Sequence, residues 1–133
     1  MQPFIILAVK IEKNNMEINV YIVLGILFTH WIADFVLQTD WQAKNKSKDN
    51  MALLSHTVFY TFAWILPSLL LVGQQTHWFL LITLASHTIT DYFTSRLNSK
   101  LWANGKVHEF FVSVGFDQFL HYVQLLLTYQ LLK

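Results

Sequence analysis

The chain has 133 residues, a single domain's length, with 54% hydrophobic residues, 13% charged residues and a formal net charge of +1. Soluble domains carry about 25% charged residues, so the composition argues against an ordinary soluble domain, and the near-neutral balance argues against a nucleic-acid partner. Cysteine is absent, which excludes disulfides, thiolate metal sites and cysteine nucleophiles together.

The charges gather around Lys10–Glu17, Asp40–Asp49 and Arg96–Glu109, with long apolar stretches between them. Residues 1–16 read as an interfacial or disordered lead-in. Phe4 to Val9 is apolar, but Lys10 and Lys13 follow it, the reverse of a signal peptide's order. Met16 is a candidate alternative start. Residues 17–133 then read as one transmembrane domain, an all-α bundle of about four membrane-spanning helices.

Span one is expected over about Ile18–Thr39 and span two over about Ala52–Gly73. Spans three and four are expected over about His77–Ser95 and Phe111–Leu132. Each approaches the roughly 20 residues that cross a hydrocarbon layer about 30 Å thick. Backbone in lipid must satisfy its own hydrogen bonds, and continuous apolar runs fit helices better than the alternation of a barrel strand. Pro67 lacks an N–H and is expected to kink span two.

The connections alternate in character. Residues 40–51 carry Lys44, Lys46 and Lys48, and residues 97–110 carry Lys100 and Lys106 beside Arg96, whereas Val72–Thr76 is short and uncharged. The positive-inside rule therefore places loops 40–51 and 97–110 in the cytoplasm and both termini outside. Trp41, Trp102 and Trp78 fall near the interfaces, as in an aromatic belt. The bilayer is the partner this pattern specifies, and self-association is compatible with it.

Ionisable residues inside spans are costly and usually face the bundle interior. Span one carries His30 and Asp34, span three His87 and Asp91, and span four Asp117 and His121, each pair four residues apart; span two adds His56. Four residues is about one helical turn, so each pair shares a face. With a rise of about 1.5 Å per residue, all seven fall in one slab in the cytoplasmic half. Imidazole and carboxylate at one depth suit zinc, manganese or iron, and the number of groups suits two metal ions better than one tetrahedral zinc. Gln38, Tyr60 and Gln118 are expected behind the ligands, orienting them. The bland reading is that His–Asp pairs simply tie helices together.

The set His30-Trp-Ile-Ala-Asp34-Phe35-Val-Leu-Gln38, His56, His87-Thr-Ile-Thr-Asp91 and Asp117-Gln118-Phe-Leu-His121 resembles a domain-of-unknown-function family of small bacterial and phage membrane proteins, over about Val23–Leu125. The resemblance implies a bacterial inner-membrane protein with these residues as candidates, and no reaction. A looser likeness is to the membrane-bound metal-dependent hydrolases of bacteria. The leading expectation is a metal-dependent hydrolase acting on a lipid-linked or membrane-proximal substrate. The alternatives are a small transporter, channel or proton relay, and a non-enzymatic membrane partner or effector. No serine stands in a nucleophile motif.

The topology is directly testable. Single cysteines introduced at Lys46 and Gly105 should label from the cytoplasmic side and one at Gln74 from the outside. Labelling of Lys46 and Gln74 positions from the same side would overturn the four-span order.

Overall fold

The computed structural model describes residues 19–133; the lead-in expected over residues 1–16 lies outside them. Among the described residues the chain is helical throughout, with no strand. The first helix, α1 (Val20–Trp31), is capped by Asn19, whose side chain accepts from the Tyr21 N–H. It runs into a π-helical turn, Ile32–Val36. That turn carries Asp34, so the spacing of four from His30 is not an ordinary α-helical one. The wider turn re-aims the carboxylate, a use often made of such bulges.

The loop expected over residues 40–51 contains a short helix, α2 (Asp40–Asn45). Thr39 and Gln42 form a reciprocal capping box at its start, and Gln42 Nε2 also donates to Ser55 Oγ at 3.0 Å. Gln42 is buried. This one side chain thus closes α2 and pins it against the next helix, α3 (Asn50–Ala63), which Asp49 caps.

Span two is interrupted, as Pro67 leads one to expect. Helix α3 ends at Ala63 and α4 (Ile65–Val72) begins after Trp64. Pro67 has no N–H to offer the Ala63 carbonyl four residues back, and its ring crowds that carbonyl. Gly73, at φ +54°, opens the turn Gly73–Gln75. Helix α5 (Thr76–Ala103) and helix α6 (Val107–Leu132) then form a long hairpin. Both exceed the expected spans three and four at the end facing residues 104–106. The sequence Arg96–Ala103 is polar but contains no glycine or proline, so the helix continues until Gly105 turns it at φ +68°.

Two helical stretches, Ile65–Ala103 and Val107–Leu132, are long and apolar enough to cross a membrane; Val20–Val36 is apolar but shorter. Helix α3, at 14 residues, is shorter than that standard and carries polar residues, among them the buried His56, Thr57 and Thr61.

The burial pattern is inverted relative to a soluble bundle. Phe28, Phe93, Phe111, Phe116, Leu70 and Leu131 are exposed, while His30, His56, Thr57, Thr83, His87, Asp91 and His121 are buried. An apolar core exists beside them, built from Ile26, Tyr60, Trp64, Phe79, Leu125 and Tyr129. Trp64 packs on both Tyr60 and Phe79, with ring centroids 6.4 and 5.5 Å away.

Candidate metal centre

All seven His and Asp residues expected to converge are buried in the bundle. Asp34 comes from the π-helical turn, His56 from α3, His87 and Asp91 from α5, and Asp117 and His121 from α6. They form two groups with one shared member.

The first group is Asp34, His56, His87 and Asp91, whose ligand atoms all lie within 4.8 Å of one another. His56 Nε2 is 3.0 Å from Asp34 Oδ1, 3.2 Å from His87 Nε2 and 3.4 Å from Asp91 Oδ2. His87 Nε2 is 3.6 Å from Asp34 Oδ1 and 3.7 Å from Asp91 Oδ2. A tetrahedral ion with bonds of about 2.0–2.1 Å separates its ligand atoms by about 3.3 Å. The observed separations bracket that value, so the donor set fits a divalent metal in both chemistry and spacing.

The second group is Asp91, Asp117 and His121. His121 Nε2 lies 3.1 Å from Asp91 Oδ1 and 3.4 Å from Asp117 Oδ1. Asp91 therefore turns Oδ2 to the first group and Oδ1 to the second, the position of a bridging carboxylate in a two-metal site.

His30 stands outside both groups. Its Nδ1 is 2.7 Å from the Tyr60 hydroxyl and its Nε2 is 2.8 Å from Gln118 Oε1. An amide oxygen only accepts, so His30 Nε2 carries the proton and, in the neutral ring, Nδ1 accepts from Tyr60. Gln118 in turn donates from Nε2 to Asp34 Oδ2 at 3.3 Å and to Asp117 Oδ2 at 3.0 Å. One amide thus holds the outer oxygen of two carboxylates and leaves the Oδ1 of each facing its group. Tyr60 and Gln118 thus touch the site through His30, Asp34 and Asp117, and His30 lies between the two of them. The His87 ring is stacked between Tyr60 and His121, at 3.8 and 4.3 Å between centroids. Gln38, expected among the orienting residues, leaves its Oε1 buried without a partner.

Two participants escaped the sequence reading. Thr94 Oγ1 donates to Asp117 Oδ1 at 2.6 Å; it lies three residues beyond Asp91, on the same face of α5, which was the available signal. Lys46 reaches in from the loop after α2. Its Nζ donates to Asp91 Oδ2 at 2.8 Å and lies 3.4 Å from His56 Nε2. Burial opposes the charge on Lys46, but Asp91 and Asp34 beside it hold its ammonium pKa above the ordinary value. Nothing in the sequence separates Lys46 from Lys44 and Lys48; its inward course is a matter of how α2 sits on α3, where Gln42 bonds Ser55.

A family model for proteins of unknown function, DUF3307, matches residues 22–133. The chain belongs to the DUF3307 family. The match covers all the site residues of this DUF3307 protein and extends beyond the Val23–Leu125 stretch whose motifs suggested a family. Neither the comparison with curated proteins nor that with solved structures gave a match.

The hydrogen bonds of Gln118 to Asp34 and Asp117 predict a specific loss. Gln118→Leu should leave the Asp34 and Asp117 Oδ2 atoms without their amide donor, at about 1–3 kcal/mol for each buried group left unpaired. It should also weaken divalent-metal affinity by about 10–100-fold, as removal of an orienting partner does. Isothermal titration of zinc into the detergent-purified variant checks this; wild-type affinity would remove Gln118 from the site.

Proposed function

We propose that this chain is a four-span membrane protein, with residues 17–133 as its single transmembrane domain. In this reading the bundle core holds a divalent metal centre that hydrolyses a membrane-proximal or lipid-linked substrate. The observation that carries the metal is the convergence of Asp34, His56, His87 and Asp91, with Asp91 shared by the second group. Charge supports it too. Asp34, Asp91 and Asp117 carry three formal negative charges against the one positive charge of Lys46, leaving two uncompensated with the imidazoles neutral. Buried charge of that size is prohibitive unless neutralised; one divalent cation neutralises it, and a second ion would call for a further anion such as hydroxide or the substrate. The lipid is supported by the inverted burial pattern, since large exposed apolar surfaces mark a non-aqueous surrounding or a partner, and by the two long apolar helices.

Asp34, His56, His87 and Asp91 would hold one ion, and Asp91, Asp117 and His121 a second. Zinc, manganese and iron all suit this donor set. When bound, such a metal supplies Lewis-acid activation of water and polarisation of an ester oxygen. The chain's own contribution is orientation: Gln118 fixes two carboxylates, Tyr60 fixes His30 and stacks on His87, and Lys46 places a cation at the edge of the cluster. Lys46 and the half-buried loop around it lie on the side toward residues 40–51, and this favours substrate access from that end.

A proton path is the second reading. Gln124 Nε2 donates to Thr83 Oγ1 at 3.3 Å and to Thr128 Oγ1 at 3.0 Å, which extends buried polar groups away from the cluster. None of these residues titrates, so the extension supports hydration more than proton relay.

Elemental analysis and melting separate the readings. Purified wild type should retain stoichiometric metal and lose thermal stability on chelation, because a ligand bound only by the native state stabilises it by mass action. Asp34→Asn and Asp91→Asn keep shape while removing the charge that balances the ion. They should fold in detergent, lose metal and melt independently of chelator. A wild-type melt indifferent to chelator, with no metal by analysis, would overturn the metal centre and favour protonated histidines as the compensating charge.

A further inference from the structure

A cavity of about 360 Å³ with a mixed lining, basic and polar on part of its wall and apolar on the rest, lies beside the candidate metal centre. It sits between the loop after α2 and the facing surfaces of α5 and α6, and Lys44, Lys46, Lys48, Ser95, Asn98 and Trp102 are among its walls. That volume is in the range of small-ligand sites, about 300–1,000 Å³. Three lysines line it and no carboxylate does. Among the described residues Lys44 pairs with Asp40, 3.9 Å away at the exposed rim, an interaction worth little in water.

The cavity wall also contains polar atoms without partners. Ser95 Oγ and Asn98 Oδ1 are buried and make no hydrogen bond. Buried polar atoms are nearly always paired, and unpaired ones call for an explanation such as an absent ligand. Asn98 can present either its oxygen or its NH₂ by rotation of the amide, so Ser95 and Asn98 together can donate to an anion. Lys46 connects the cavity to the cluster, since it lines the one and donates to Asp91 in the other.

We propose that this cavity binds the phosphate group of the substrate, with Lys46 and Lys48 supplying charge, Ser95 and Asn98 supplying hydrogen bonds, and Lys46 setting the phosphate against the metal centre. Lysine ammonium groups are established phosphate partners as point charges. The inference rests on the hydrolase reading for its catalytic meaning, while the binding itself stands on the cavity. The phosphate belongs either to a lipid headgroup or to a soluble ester, and both present the same group to these residues.

The test is calorimetric binding to the full chain in detergent, with inorganic phosphate and dioctanoyl phosphatidic acid as probes, dioctanoyl phosphatidylcholine as control, and metal content measured in parallel. Wild type should bind phosphate or phosphatidic acid, and Lys48→Gln and Asn98→Leu should each weaken that binding at least fivefold with metal content unchanged. Lys48 is exposed, so its variant keeps the test valid if the Asn98 variant misfolds. Tighter binding of phosphatidic acid than of phosphate identifies a headgroup, and equal binding identifies a soluble ester; both support the site. A wild type that binds neither probe, or variants that bind like wild type, overturn it. Pocket-dependent binding by a protein without metal would sink the metal centre and leave the phosphate site standing.

Discussion

The constraint on which this structure turns is the neutralisation of three carboxylates buried inside a bundle whose exterior is apolar. Asp34, Asp91 and Asp117 arrive from three different helical segments, and none is matched by an arginine. Among the described residues a single ammonium, that of Lys46, reaches the cluster, through Asp91. Without further positive charge the helices would be driven apart by like charges in a medium of low dielectric constant. A divalent cation at the meeting point would reverse that force and make the same carboxylates a link between the π-helical turn, α5 and α6. The imidazoles of His56, His87 and His121 would complete the donor set.

The rest of the fold can be understood as delivery to that point. The π-helical turn re-aims Asp34. The break at Trp64, beside Pro67, separates α3, which carries His56, from α4. The capping box of Thr39 and Gln42, anchored on Ser55, fixes α2 so that Lys46 turns inward. Gln118 ties the arrangement together, because one amide touches His30, Asp34 and Asp117. The cavity beyond Lys46 then gives the cluster an approach lined with cations, at the end of the bundle where the loops lie.

Much of this was legible in the sequence. Helical class, the break near Pro67 and the convergence of His and Asp from every apolar segment followed from apolar run length and the i, i+4 spacing. The placement of Tyr60 and Gln118 beside the cluster was legible as well, since each lies within a turn of, or beside, one of its residues. What escaped depended on tertiary geometry. His30 looked like a ligand because it pairs in sequence with Asp34, but Tyr60 and Gln118 take both its nitrogens. The π-helical turn changes the register between the two, and no residue in Ile-Ala-Asp-Phe-Val announces it. Lys46 was hidden among three equivalent loop lysines. The ends of α5 and α6 were underestimated because apolar runs mark where lipid suits a helix, not where the helix stops.

The most direct test of the central claim is X-ray absorption spectroscopy of the purified protein reconstituted with zinc. The account predicts an inner shell of mixed imidazole nitrogen and carboxylate oxygen at about 2.0–2.2 Å, with imidazole scattering that diminishes in His56→Ala and His87→Ala. A shell of oxygen alone, unchanged by either substitution, or the loss of zinc on desalting would contradict it.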